Sequence, residues 1–173
     1  VTIDVDGTLL NSERLITQEV KSTIRQAKAQ GVKIVVTTGR PYLGVIELLK
    51  ELSLTDPGDY VITYNGGMIL AADTGVELKR TTLTYQDYLR VDDLATTLRC
   101  TSHAVTADRL FTSNRDVSKY TVEESFIAKV PMSFRTRAEM AAEDSIIKMM
   151  LVGEADAPAD RAVGDLQAGG SNQ

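Results

Sequence analysis

The stretch VTIDVDGTLLNS (Val1–Ser12) opens the chain and places two aspartates at the end of an apolar run. The run Val1–Val5 is β-branched and continuous rather than alternating, which predicts a strand buried on both faces. Asp4 and Asp6 lie at the end of this strand, and Gly7 follows them at once. A glycine at this point permits a tight turn and leaves backbone amides available for phosphate oxygens.

The following segments alternate between helix and strand patterns. A helix is predicted after Thr17, whose hydroxyl can cap it, and a second helix is predicted from Pro41 to about Leu52. Two further apolar strands are predicted at Val32–Thr38 and Tyr60–Gly67. The order strand–helix–strand–helix–strand is typical of an α/β protein with a Rossmann-like, doubly wound parallel sheet.

The pattern changes near residue 82, after two predicted strands around Asp73–Gly75. The remaining half is typical of an α+β domain with antiparallel pairing, so we predict two domains, residues 1–82 and 83–173. The short helix within it is predicted to have Thr121 and Glu124 as a capping box. The predicted elements of this half are a helix at Thr84–Cys100, a hairpin at His103–Asn114, a short helix at Ser118–Phe126, a strand at Ser145–Gly153 and a helix at Pro158–Gln167.

Composition limits the function classes. The chain of 173 residues carries a net charge of −5, which argues against a nucleic-acid backbone as partner. No apolar run approaches the roughly 20 residues of a membrane span. The single cysteine, Cys100, fits a reducing cytoplasm, and the single histidine, His103, excludes a multi-histidine metal site. A homodimer is one option that the sequence leaves open.

Polar residues are predicted to converge at one edge of the sheet, because ligands bind at the carboxyl ends of parallel strands. Asp4 and Asp6 follow the first strand, Thr38 ends the second, and Asn65 ends the third. An oxygen-rich site of this kind suits Mg²⁺, with Asp4 and Asp6 as its ligands. One carboxylate could attack phosphorus to form an aspartyl-phosphate, and the other could transfer protons.

Four segments carry a family resemblance that extends from Val1 to about Val152. They resemble the haloacid dehalogenase (HAD) superfamily, in particular the YidA-like sugar phosphatases of its Cof-type branch. DxDGT followed by TGRP at this spacing is a specific combination. The segments are DVDGTLLNS (Asp4–Ser12), VVTTGRP (Val35–Pro41), YVITYNGG (Tyr60–Gly67) and SNRDVSKYTVEESF (Ser113–Phe126).

The resemblance implies a Mg²⁺-dependent phosphatase that acts on a small phosphorylated metabolite. Asp4 resembles the nucleophile, and Asp6 resembles the general acid/base whose backbone carbonyl also contacts Mg²⁺. Thr38 resembles the phosphate-binding hydroxyl, and residues from about 82 onward resemble a type C2 cap. Gly39, Arg40 and Asn65 are further candidates for phosphate or substrate binding. A structural ion pair for Arg40 and a simple turn at Asn65 are the alternatives.

The chain departs from the family pattern after the cap. The family's third-motif lysine and fourth-motif acids are not identifiable, so we expect a chain truncated before these motifs and inactive by itself. The first strand would then be an exposed edge. Two alternatives follow: a catalytically incomplete fragment or binding module, and a receiver-type signalling domain. The third strand ends in Asn65 instead of an aspartate, which argues against the receiver.

Overall fold

A computed structural model describes residues 1–153 of the chain. The chain divides into two compact units between Arg80 and Thr81. None of the described helices is long and apolar enough to cross a membrane. The helix predicted at Pro158–Gln167 lies outside the described residues.

The first unit contains a five-stranded sheet. Its strand order is β1-β2-β3-β4-β5; the first three strands run parallel, and the last two join by antiparallel pairing. The predicted α/β class is thereby confirmed. The elements are β1 (Thr2–Asp4), α1 (Gln18–Ala29), β2 (Val35–Thr37), α2 (Ile46–Glu51), β3 (Tyr60–Thr63), β4 (Met68–Ala71) and β5 (Glu77–Arg80).

Local sequence accounts for the helix boundaries in this unit. Helix α1 begins after Thr17, whose Oγ1 accepts a hydrogen bond from Val20 N–H at 3.3 Å, as the sequence predicts. The helix predicted to start at Pro41 instead begins with a short 3₁₀ helix, Tyr42–Gly44, and α2 starts only at Ile46. Gly44 inside the predicted helix lowers its helical propensity, which favours this break.

Strand β1 is less buried than its sequence predicts. Thr2 and Asp4 are exposed and Ile3 is partly buried, so the expectation of a strand buried on both faces is wrong. The reason is that β1 lies at the edge of the sheet and, among residues 1–153, pairs with β2 alone. Val5, directly after the strand, is fully buried and anchors this end of the chain in the core.

As far as residue 153, the second unit combines two α-helices with a four-stranded sheet of order β8-β7-β6-β9. Strands β6 and β7 form the predicted hairpin, β9 pairs antiparallel with β6, and β8 pairs parallel with β7. Thr84 and Asp87 cap α3 reciprocally. The elements are α3 (Tyr85–Leu98), β6 (Thr101–Val105), β7 (Leu110–Thr112), α4 (Lys119–Ala128), β8 (Met132–Phe134) and β9 (Lys148–Val152).

The predicted capping box of Thr121 and Glu124 is wrong. Helix α4 begins earlier, and Ser118 is its N-cap, with its Oγ accepting a hydrogen bond from Tyr120 N–H at 3.3 Å. Thr121 is therefore inside the helix and buried, while the Glu124 carboxylate lies 3.3 Å from the ammonium of Lys148. Both side chains serve tertiary contacts between the helix and the sheet.

His103 is buried in the second unit, with only 1% of its surface exposed. Its Nδ1 lies 3.2 Å from the Thr121 hydroxyl, and Nε2 has no hydrogen-bond partner among the described residues. Burial, and secondarily the positive charge of Lys148, lowers the pKa of His103 to about 4. The imidazole is therefore neutral near pH 7 in the folded chain.

This depressed pKa predicts a pH-dependent stability. The unfolded chain takes up a proton at His103 near the ordinary pKa of about 6.5, whereas the folded chain does so only near 4. The contribution of the neutral His103 to stability is therefore fully present above the unfolded pKa of about 6.5. It is lost as the pH falls from there towards the folded pKa of about 4. We expect a loss of about 1 kcal/mol in the free energy of unfolding between about pH 7.5 and about pH 5.5. Urea unfolding followed by circular dichroism at both pH values measures it.

The His103→Gln variant is the control, because His103 is the only histidine in the chain. The variant should lose most of the difference between the two pH values. An equal difference in the wild type and in the variant would show that His103 is not its source.

Candidate active site

The parallel register brings three strand ends to one edge of the first sheet. Asp4, the last residue of β1, is paired with Thr37 of β2, and Thr37 is paired with Ile62 of β3. The Asp4 side chain is exposed. The segments that follow β1, β2 and β3 therefore start next to one another.

The segment after β1 is a tight turn that presents Asp6. Leu10 N–H donates to Val5 O at 3.0 Å and closes the turn. Gly7 has a φ of 79°, a left-handed conformation that glycine adopts without steric cost. The Asp6 side chain is 54% exposed, although Val5 just before it is buried. The turn thus places the second carboxylate at the surface beside the strand ends.

Arg40 binds the Asp6 carboxylate at two points. Its Nε donates to Asp6 Oδ2 at 3.0 Å, and its Nη2 donates to Asp6 Oδ1 at 2.5 Å. Two parallel N–H···O bonds between a guanidinium and a carboxylate are both strong and directional. Of the two roles that the sequence left open for Arg40, the structure shows the ion pair, and phosphate or substrate binding stays a prediction.

The loop after β2 is tied to β3 by backbone hydrogen bonds. Thr38 is buried, and its Oγ1 accepts a hydrogen bond from Arg40 N–H at 3.1 Å. Thr38 N–H donates to Ile62 O and Asn65 N–H donates to Thr38 O, both at 3.0 Å. Tyr64 N–H donates to Arg40 O at 3.3 Å. The candidate phosphate-binding residues thus form one connected network.

The turn after β3 holds three consecutive left-handed residues. Tyr64, Asn65 and Gly66 have φ values of 51°, 55° and 97°. This conformation is uncommon for Asn and costly for a bulky residue such as Tyr64, which is also buried. Backbone strain of this kind persists only where the surroundings fix it, and it is frequent at functional sites.

Gly39 lets Asn65 approach the loop closely. A Cβ atom on Gly39 would lie 2.7 Å from Asn65 Oδ1, which is closer than carbon and oxygen can pack. The sequence predicts Gly39 and Asn65 as site residues, but it does not indicate that they lie against each other. The structure gives them a shared geometric role, in which the glycine makes room for the carboxamide.

The oxygen atoms at this edge of the sheet are of the chemical type that binds a magnesium ion. Carboxylate and carbonyl oxygens are the ligands that Mg²⁺ prefers, and protein sites often supply one or two carboxylates beside the substrate phosphate. Asp4 offers a carboxylate and Asp6 a backbone carbonyl, while Arg40 engages both oxygens of the Asp6 carboxylate. Within residues 1–153, no three histidine, cysteine, aspartate or glutamate side chains are clustered closely enough to hold a metal ion by themselves.

The second unit has a cavity of about 480 Å³. Arg115 lies at this cavity with its guanidinium 5.8 Å from the ring centre of Phe134. Arg109, another basic residue of this unit, donates from Nη1 to Ser133 Oγ at 3.0 Å. The cavity is lined by Thr112, Asn114, Arg115, Val117, Met132 and Phe134.

Comparison with known proteins places this chain in a family. The family model for haloacid dehalogenase-like hydrolases matches residues 1–167. A match over nearly the whole chain shows that the chain belongs to this family. The resemblance seen in DxDGT and TGRP is therefore confirmed.

Named relatives are similar over most of this chain. A provisionally named phosphatase of Streptococcus pyogenes is 46% identical over 156 residues, which is 90% of this chain and 58% of that protein. YxeH of Bacillus subtilis, also provisionally named a phosphatase, is 41% identical over 88% of this chain and 56% of its own length. The chain thus spans a little more than half the length of these relatives.

The fold is also that of solved HAD structures. The structure of the sugar phosphatase BT4131, of HAD subclass IIB, superposes with a TM-score of 0.63 over 87% of this chain and 56% of that protein. The sequence identity is 22%, so this likeness concerns the fold alone.

Two features of the site were not predicted in full from the sequence. An ion pair for Arg40 is one of the two roles that the sequence left open, but its partner Asp6 lies 34 positions away, and no local pattern specifies it. The left-handed backbone of Tyr64 was also missed, although Asn65 and the two following glycines indicated a turn. The NGG triplet is the one signal that could have predicted unusual φ values there.

The contact of Gly39 with Asn65 predicts an effect on stability. We expect Gly39→Ala to lower the free energy of unfolding by about 1–2 kcal/mol, because the added methyl group must displace the carboxamide. Combining it with Asn65→Gly removes the clashing group and tolerates the positive φ. The double variant should therefore lose less than the sum of the two single losses, as measured by urea unfolding.

Gly153→Ala is the matched control, because no described atom lies within 4 Å of its Cβ position. Its stability should be near that of the wild type. Additive losses for Gly39→Ala and Asn65→Gly would contradict the packing explanation.

Proposed function

We propose that the intact protein is a Mg²⁺-dependent phosphatase that hydrolyses small phosphorylated metabolites, such as sugar phosphates, through an aspartyl-phosphate intermediate. The observation that carries the proposal is the convergence of Asp4, Asp6 and Thr38 at the adjacent ends of the parallel strands β1 and β2. The phosphatase names of the two relatives that are more than 40% identical support it. The sugar-phosphate class rests on the sequence resemblance.

In the first half of the proposed reaction, a carboxylate oxygen of Asp4 attacks phosphorus. The bond between phosphorus and the leaving oxygen breaks, and the electron pair goes to that oxygen. Asp6 donates a proton to the leaving oxygen, so that the product departs as a neutral alcohol. Its exposed position next to the strand ends suits a group that must reach the leaving group.

In the second half, Asp6 takes a proton from a water molecule, and the water oxygen attacks phosphorus. The bond between phosphorus and Asp4 breaks, which restores the Asp4 carboxylate and releases inorganic phosphate. Magnesium, held by the Asp4 carboxylate and the Asp6 backbone carbonyl, would supply positive charge that offsets the negative charge on the phosphoryl oxygens. Phosphoryl transfer needs positioning and charge compensation more than it needs further covalent chemistry.

The remaining site residues position the phosphoryl group in this proposal. The Thr38 hydroxyl lies in the loop after β2, and its oxygen accepts a hydrogen bond from Arg40 N–H, which fixes the position of the side chain in this loop. Gly39 and Asn65 keep that loop against the turn after β3. Asn65 would contribute to substrate binding from this turn.

We further propose that the second unit acts as a cap that selects the substrate. Its cavity offers Arg115 and Asn114 together with apolar side chains, a combination that suits the polar and apolar faces of a sugar. A cytoplasmic location and a homodimer remain predictions. The single cysteine supports the first of these.

A second candidate function is a phosphate-binding module without turnover. It is favoured by one observation, the absence of a cluster of three metal-ligating side chains within residues 1–153. Such a module would bind inorganic phosphate but would hydrolyse no phosphate ester. Turnover of p-nitrophenyl phosphate by the wild-type intact protein separates the two candidates.

The nucleophile assignment predicts that Asp4→Asn abolishes turnover of p-nitrophenyl phosphate by the intact protein. The amide oxygen is a poor nucleophile, and the nearby Asp6 carboxylate is paired with Arg40. We expect less than about 1% of the wild-type kcat, since loss of a covalent catalyst commonly costs several orders of magnitude. Circular dichroism should show an unchanged fold. Activity above a few per cent in a folded variant would remove Asp4 from this role.

The acid/base assignment predicts that the effect of Asp6→Ala depends on the leaving group. A general acid matters most when the departing oxygen is basic. We therefore expect a loss of about 100-fold or more in kcat for an alkyl phosphate and a smaller loss for p-nitrophenyl phosphate. Steady-state kinetics with both substrates measures this. Equal losses would indicate that Asp6 serves the metal or the fold.

A further inference from the structure

We infer that Arg40 is a positioning residue that orients the Asp6 carboxylate, in place of a direct contact to the phosphoryl group. The inference rests on the proposed function, in which Asp6 transfers the protons. It assigns Arg40 a role in kcat, whereas a phosphate contact would act mainly on binding.

The first argument is the freedom that Asp6 would otherwise have. Its side chain is 54% exposed and lies in a turn next to Gly7, whose φ is 79°. An exposed carboxylate rotates readily between rotamers. Two hydrogen bonds from one rigid guanidinium fix both oxygens at once, which a single contact does not do.

The second argument is that Arg40 is itself held firmly. Its N–H donates to Thr38 Oγ1 at 3.1 Å, and its carbonyl accepts from Tyr64 N–H at 3.3 Å. Its side chain is only 25% exposed. Arg40 thus contacts the segments after all three parallel strands, and the position of its guanidinium, fixed by these contacts, determines the orientation of the Asp6 carboxylate.

The third argument is the contrast with another arginine of the same unit. Arg80 also uses Nε and Nη2, but both donate to one oxygen of Glu77, three residues away. That pair is local and does not orient a carboxylate between elements. Arg40 donates from the same two nitrogens to separate oxygens of Asp6, which lies 34 positions away. This edge of the guanidinium is therefore not directed at a phosphate.

The experiment is a double-mutant cycle in the intact protein with Arg40→Ala and Asp6→Ala. For an alkyl phosphate, we expect Arg40→Ala to lower kcat about 10- to 100-fold, the effect of misplacing a catalytic group. KM, and the Kd for inorganic phosphate measured by calorimetry, should change less than about twofold. In the Asp6→Ala background, Arg40→Ala should have no further effect on kcat.

Arg40→Lys and Arg80→Ala complete the design. The lysine keeps the charge but lacks the planar pair of parallel N–H donors that fixes both carboxylate oxygens, so it should not restore kcat. If Arg40→Ala fails to fold, kcat, KM and the phosphate Kd are measured with Arg40→Lys instead. Arg80→Ala removes a comparable ion pair outside the site and should have the wild-type kcat.

Three results would overturn the inference. A rise in KM and in the phosphate Kd at unchanged kcat would make Arg40 a phosphate contact. An equal loss of kcat in both backgrounds would make it independent of Asp6. A wild-type protein without turnover would instead overturn the proposed function, and the inference with it.

Discussion

The parallel register of β1, β2 and β3 is the constraint on which the site depends. Asp4, Thr37 and Ile62 are aligned across the three strands, so the residues after them begin at the same edge of the sheet. A shift of one residue in β1 would turn every side chain of that strand to the opposite face. Burial of Val5 opposes such a shift, because it would bring an apolar side chain to the surface.

The site built on this edge is stabilised mainly by contacts between its own loops. Hydrogen bonds donated by Tyr64 and Asn65 to the carbonyls of Arg40 and Thr38 connect the loop after β2 to the turn after β3, and the ion pair of Arg40 with Asp6 adds the turn after β1. These contacts hold the left-handed backbone at Tyr64 and Asn65 in place. The strain and the network therefore occur together, as is usual where a backbone must present groups to a ligand.

Much of the fold follows from local sequence, but the site does so only in part. The strand and helix order, the Thr17 cap and the hairpin after α3 follow from apolar periodicity and turn chemistry. The N-cap of α4 was missed because Ser118 and Thr121 are both competent caps, and tertiary contacts to His103 decide between them. The pairing of Arg40 with Asp6 depends on two loops meeting in space, which no pattern within either loop specifies.

The central claim is that the carboxylate at the end of β1 becomes phosphorylated during turnover. Borohydride reduces an aspartyl-phosphate to homoserine, so the modified position can be located by tandem mass spectrometry after quenching the intact protein with substrate. We predict homoserine at position 4 in the wild type and none when substrate is omitted. Homoserine at a different aspartate, or none during measurable turnover, would contradict the account.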